Sequence, residues 1–199
     1  MNQILEKLVN KTLTGKKDSD RHLISLFAIA LASKGKTYVE LGVREGHTTE
    51  PLHEAVKLNG GHLWSVDIEY PTVYNPSEES YTFVKSCAVD FLKNWPKDKK
   101  IDFIYIDDWH SYEHVKKELE YIDQYVGPSS IILLHDLMYG NTEPFYHCDL
   151  TLVDGQWAEG GPYRAVAELN PQFWEWSTLP WNNGLTILRK KYSNKYHKI

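Results

Sequence analysis

The chain has 199 residues, with 22 Lys and Arg against 27 Asp and Glu, for a formal charge of −5. At this length one hydrophobic core can bury roughly 70% of the unfolded surface, so no disulfide or structural metal is required. The acid excess argues against a dedicated nucleic-acid binder, which works through a basic field. The two cysteines, Cys87 and Cys148, exclude a disulfide framework and a CxxC zinc spacing.

The N-terminus, MNQILEKLVNKTL, is amphipathic and charged, unlike a signal peptide, and residues 23–32 are too short an apolar run to span a bilayer. These features predict a cytoplasmic protein without membrane contact. Residues 2–14 and 20–34 read as helices, with Asp18, Ser19 or Asp20 as cap of the second. TYVELGV reads as a buried strand ending at Glu40. Strands and helices alternate from there. EGHTTEPLHEAVKLNGG reads as a helix, HLWSVDI and YTFVKSCAV as strands, and DFLKNWPKDKK as a short helix and turn. IDFIYIDD is a strand, SYEHVKKELEYIDQYV a helix stopped by Gly127-Pro128, and SSIILLHD a strand. Such alternation implies a parallel sheet covered on both faces. Residues 137–161 read as irregular. After the helix GPYRAVAELN, the strands FWEWSTLP and GLTILRKK flank Asn182-Asn183-Gly184, a hairpin signal that puts one antiparallel strand in the sheet.

In an open parallel sheet, ligands bind beyond the carboxyl ends of the strands. After Glu40, Gly42 allows close approach of the backbone and Gly46 a tight entry to the helix, while Thr48 either caps that helix or bonds a ligand. A nicotinamide fingerprint has Gly where Glu40 stands. A carboxylate there repels a pyrophosphate and suits an ammonium-bearing ligand without phosphates; the plainer reading is a tight turn. Asp67 lies 21 positions after Gly46, near the spacing at which an acid meets ribose hydroxyls, and is otherwise a solvated strand-end carboxylate. Cys87 and Ala88 leave room for a flat ring. Asp90 either accepts from an exocyclic amine or caps the next helix.

Asp107, Asp108 and His110 follow the fourth strand, and His135 and Asp136 the fifth. Adjacent strands lie about 4.8 Å apart, so Asp107 and Asp136 can converge on one point. Two carboxylates so close repel unless a cation or proton separates them, and oxygen ligands suit Mg²⁺ or Mn²⁺.

The ordered set ELGVREG, VDIE, IDFIYIDDWHSYE and IILLHD resembles class I S-adenosylmethionine-dependent methyltransferases, and more closely their small-molecule O-methyltransferase and cephalosporin hydroxylase-like branch. The resemblance spans about residues 36–190. It implies one domain over 1–199: a Rossmann-like, doubly wound α/β fold with a seven-stranded sheet of order 3-2-1-4-5-7-6, strand 7 antiparallel, and two extra N-terminal helices over 1–34. It implies S-adenosylmethionine as cofactor. Glu40, Gly42 and Gly46 would surround its methionine part, Asp67 would hold the ribose hydroxyls, and Cys87, Ala88 and Asp90 would lie around the adenine, with Arg44, Thr48, Ile68 and Asp107 completing the cofactor site. It implies O-methylation of a small hydroxylated acceptor, a sugar or a phenol. His110, with Asp107, would be catalytic, an imidazole suited to taking the hydroxyl proton. The plainer reading of His110 is a cap on the helix from Ser111. Asp107 and Asp136 match two acidic metal-ligand positions of the metal-dependent branch, but Leu137 replaces its following Asn or Asp, which leaves Mg²⁺ or Mn²⁺ use open.

The alternative is a cofactor-binding module of this fold without transfer activity. No Asp-, Asn- or Ser-Pro-Pro-aromatic tetrapeptide of amino methylation is present. Among the aromatics, Tyr139, Tyr146, Trp157 and Tyr163 are read as acceptor-pocket walls, and Phe173, Trp174 and Trp176 as core. Trp109 is read as cofactor packing or core, and His147 with Asp149 as a weak second metal pair. The two N-terminal helices either cover the cofactor or build a homodimer surface.

Overall fold

The computed structural model describes residues 2–138, 152–153, 156–157 and 161–192. In chain order these form α1 (Asn2–Thr14), a 3-10 segment (Asp18–His22), α2 (Leu23–Ser33), β1 (Thr37–Leu41), α3 (Thr49–Asn59), β2 (His62–Asp67), β3 (Tyr81–Lys85) and α4 (Ala88–Lys93). There follow β4 (Phe103–Ile106), α5 (Tyr112–Tyr125), β5 (Ile131–His135), β6 (Leu152–Val153), β7 (Gln156–Trp157), α6 (Gly161–Ala167), β8 (Trp174–Leu179) and β9 (Leu185–Lys190). The main sheet has the order β3-β2-β1-β4-β5-β9-β8, with β6 and β7 forming a separate ribbon. Counted within the sheet this is 3-2-1-4-5-7-6. Strands β1 to β5 pair in parallel, and β9 runs antiparallel to both β5 and β8, as the hairpin signal requires.

Successive strand residues point to opposite faces, and both faces here are covered. Val39, Leu41, Ile104, Ile106, Ile132 and Leu134 pack against Val115, Leu119 and Ile122 of α5 and against Trp95. Tyr38, Leu63, Phe103, Tyr105 and Leu133 pack on the other side against Leu26 and Phe27 of α2 and Leu52 and Val56 of α3. α1 joins this second layer through the fully buried Leu8, and its Lys7 and Lys11 reach the Glu50 carboxylate on α3.

Four boundaries depart from the sequence reading. β1 continues through Glu40 to Leu41. α3 starts at Thr49, not near Glu45, because Gly42, Arg44 and Gly46 all have positive φ and hold the intervening turn out of helical geometry. β3 ends at Lys85, where its ladder with β2 runs out at Asp67. α4 therefore takes over Ala88 and Val89 from the strand that the sequence predicts; a short apolar run does not separate the two by periodicity. The 3-10 segment precedes α2, with Asp20 Oδ2 accepting from the Lys17 amide at 2.8 Å.

Trp174 is core as expected, but Phe173 and Trp176 are exposed. They lie before and along β8, the outer strand of the sheet. Tyr139, Tyr146, His147 and Asp149 lie outside the described residues, as does the Trp157 side chain.

Candidate active site

The sheet reverses direction of winding between β1 and β4, and the loops at their carboxyl ends part there. A cavity of about 880 Å³ opens at this edge, within the roughly 300–1,000 Å³ range of small-molecule pockets. Its floor is the turn after β1. Gly42 sits at φ +86, and a Cβ there would lie 2.2 Å from the Asp107 carbonyl oxygen. Glycine is thus what lets the β1 and β4 exits nest together. Asp67, from the end of β2, clamps the same turn: its Oδ2 accepts from the amides of Val43 and Arg44, each at 2.8 Å.

Glu40 lies one layer below. It is fully buried, and its two oxygens accept from Thr48 Oγ1 at 2.7 Å and Ser65 Oγ at 2.5 Å. Burial pushes its carboxyl up to about 7, against the lowering effect of those hydroxyls. Thr48 caps nothing with its side chain; the hydroxyl is committed to Glu40.

Of the sequence-predicted cofactor residues, Gly42, Arg44, Thr48, Asp67, Ile68, Cys87, Ala88 and Asp107 line the cavity. Glu40, Gly46 and Asp90 do not. Gly46 backs onto the Tyr74 carbonyl, and Asp90 sits in the first turn of α4. Trp109 also lines the cavity and is 54% exposed, so it is wall and not core. Sequence reasoning missed a further contribution: Lys17, Asp18 and Ser19 of the N-terminal segment line the open side. The segment between α1 and α2 therefore borders the cavity.

At the inner end, Asp107 and Asp136 do converge. Asp136 follows β5 at φ +66, an uncommon conformation for a residue with a side chain. His110 Nε2 lies 2.8 Å from Asp136 Oδ2 and 3.4 Å from Asp107 Oδ1. His135 Nδ1 lies 3.1 Å from Asp136 Oδ1 and 3.4 Å from Asp107 Oδ1. The other oxygen of Asp107 accepts from the buried Tyr105 hydroxyl at 2.7 Å. His110 faces both acids and does not cap α5, whose cap is Ser111 Oγ accepting from the His114 amide. Burial alone would lower the His110 pKa, but the bonds and charges of Asp107 and Asp136 outweigh it and raise it to about 10. Both carboxyls are held below the usual range by the two imidazoles, despite burial acting the other way. Two adjacent carboxylates require a separating positive charge, and the imidazoles of His110 and His135, both raised by these acids, stand where they can supply it. His22, from the other end of the chain, stands behind, its ring 5.2 Å from that of His135. No local pattern around His22 announces this.

The donor set also fits a divalent cation. Ligand atoms of Asp107, His110 and Asp136 all lie within 4.8 Å of one another.

Comparison with known proteins agrees with this geometry. Residues 39–137 match the model of a family described as a methyltransferase domain. No curated protein sequence matches the chain. The S-adenosylhomocysteine-bound Podospora anserina methyltransferase PaMTH1 superposes with a TM-score of 0.63 at 18% identity, over 93% of this chain and 88% of that one. The O-methyltransferase of Bacillus cereus, in complex with S-adenosylhomocysteine, gives 0.61 at 13% identity over 96% and 90%. TomG of Streptomyces achromogenes, an O-methyltransferase of tomaymycin synthesis in complex with S-adenosylmethionine, gives 0.62 at 12% identity over 87% and 81%. At these identities the likeness is one of fold, and the fold is that of O-methyltransferases. Residues 39–137, which carry the first five strands, thus match a methyltransferase domain, and the chain has the fold of S-adenosylmethionine-dependent O-methyltransferases.

Proposed function

We propose that this enzyme methylates a hydroxyl of a small molecule, a phenol or a sugar, held where the cavity meets His110. The observation that carries the reading is the adjacency of two features: a cavity at the ends of β1 to β4 with acidic walls at Asp67, Asp107 and Asp108, and the histidine-carboxylate cluster at its inner end. Acidic walls disfavour phosphates and suit a cationic sulfonium and ammonium.

S-adenosylmethionine, when bound, supplies a methyl group on a positively charged sulfur that needs no further activation. The residues have the remaining work of alignment and proton removal. Asp67 and Ile68 flank the ribose, and Cys87 and Ala88 the adenine, with Asp90 behind them in α4. Gly42 and Arg44 offer backbone to the methionine end, on a turn held from below by Glu40, Thr48 and Gly46. His110, in neutral form, accepts the acceptor's proton. Asp107 and Asp136 fix its ring.

Mg²⁺ or Mn²⁺ would be held by Asp107 and Asp136, with His110 or His135 in the place that Leu137 leaves empty of a donor. Such an ion lowers the pKa of a bound hydroxyl. The charges match: one divalent ion balances the two carboxylates.

Two measurements test this reading. Calorimetry should show S-adenosylmethionine and S-adenosylhomocysteine binding in the micromolar range, and Asp67→Ala should weaken both at least 100-fold, since it removes the clamp on the β1 turn together with the ribose contact. Mass spectrometry across a panel of phenols and sugars should then detect methylated product, lost in His110→Ala. Absence of cofactor binding, or product unchanged in His110→Ala, overturns it.

A further inference from the structure

A second cluster adjoins the first, and the reading above uses only one of its members, Asp108, as cavity wall. His114 and Glu118 stand four residues apart on α5, on one face of the helix. Asp108 meets them from the turn after β4. His114 Nε2 lies 2.9 Å from Asp108 Oδ2 and 3.5 Å from Glu118 Oε1, and the three donor atoms all fall within 4.8 Å of one another.

Glu118 makes the arrangement unusual. It has no solvent exposure, and neither of its oxygens takes part in a hydrogen bond. Asp108 Oδ1 is likewise buried without one. A carboxylate so placed is unfavourable unless something compensates it. A single Nε2 hydrogen on His114 cannot satisfy both acids, and Asp108 is the nearer, at 2.9 Å against 3.5 Å for Glu118. Burial and the nearby Asp108 push the Glu118 carboxyl well above its ordinary value. A cation bonded to all three side chains would resolve every one of these deficits.

The spacing suits such a cation. Donor atoms bound at about 2.0–2.2 Å to one ion lie roughly 3–3.5 Å apart, which is the separation His114 Nε2 already keeps from both acids. Two carboxylates and a neutral imidazole balance a divalent charge. One nitrogen with two oxygens favours a first-row transition ion such as Zn²⁺ over the all-oxygen preference of Mg²⁺. Asp108 and His114 line the cavity, so open coordination positions would face it.

We propose that Asp108, His114 and Glu118 form a second metal site, for Zn²⁺ or a similar transition ion, in the wall of the cofactor cavity and separate from the Asp107–His110–Asp136 cluster. It does not depend on the identity of the acceptor.

Zn²⁺ and Co²⁺ titrated into the metal-free full chain test it, by calorimetry and by the visible absorption of Co²⁺. In an Asp136→Asn background, which disables the first cluster, one equivalent should still bind. That equivalent should weaken at least tenfold in Glu118→Gln and lose its imidazole-dependent Co²⁺ band in His114→Ala. Glu118→Gln is near-isosteric and neutral, and its circular dichroism should match that of the parent, so a folding defect is separable from loss of the ion. The proposal is overturned if the Asp136→Asn protein binds neither ion, or if Glu118→Gln and His114→Ala bind both as tightly as their parent.

Discussion

Glu40 and His110 are two titratable groups shifted in the same direction by different causes. Glu40 is raised to about 7 by burial. An acid raised in the folded state is protonated more readily there than in the unfolded chain, so stability falls as pH rises from about 4.5 through 7. Glu40→Gln should therefore stabilise the protein at pH 8 by on the order of 3 kcal/mol, and much less at pH 5. Denaturant unfolding at both values measures this; equal effects at the two would show that Glu40 does not titrate. His110 is raised to about 10 by its acidic neighbours, so at neutral pH nearly all of it is protonated and unavailable as base. With divalent ions chelated away, the methyl-transfer rate should climb about tenfold per pH unit above 7 and level off near 10. Asp136→Asn removes one acidic partner, lowers the His110 pKa and should move that rise to lower pH. A flat profile in both proteins would exclude His110 as the base.

At the level of elements, the β1 turn organises the cavity, and its glycine is the most constrained position. Gly42→Ala places a Cβ 2.2 Å from backbone at φ +86. The expected cost is about 2–4 kcal/mol, a fall in Tm on the order of 10 °C, together with loss of cofactor binding. A melt within a degree or two of the parent would mean that the two turns move apart freely. This turn was legible in the sequence because its signals are local: a β-rich run, two glycines and a threonine pair. The extent of β3 was not legible, since FVKSCAV serves strand or helix equally and only the end of the ladder at Asp67 decides. Trp176, expected in the core with Trp174, is exposed because β8 is the edge of the sheet.

At the scale of the whole molecule, alternation and one Asn-Gly turn pointed to a parallel sheet with one antiparallel strand, and the family resemblance implied the strand order. The convergence of Asp107 with Asp136 followed from the same order. The histidine partners did not all follow. His110 and His135 lie beside the acids in sequence, whereas His22 arrives through a contact with Asn182 that spans 160 positions. The N-terminal helices also prove integral to the fold. Leu8 of α1 is completely buried among Leu23, Leu26 and Leu52, so Leu8→Ala should cost about 2–4 kcal/mol, visible as a lowered melting temperature. A change below about 0.5 kcal/mol would make α1 a peripheral attachment.

The bonds that join the 3-10 segment to the final hairpin, Asn182 Nδ2 to the Asp18 carbonyl at 2.7 Å and His22 Nε2 to the Asn182 carbonyl oxygen at 3.1 Å, set a timetable for the nascent chain. Ribosomal synthesis at 5–20 residues per second separates the two partners by roughly 10–30 s. For that interval residues 17–19, which border the cavity, have no seat on the hairpin. The five parallel strands can assemble meanwhile, but this wall of the cavity closes only when β8 and β9 have emerged. Binding competence is thus expected only once Asn182 has emerged, and C-terminal truncation before Asn182 should abolish cofactor retention even where the sheet persists.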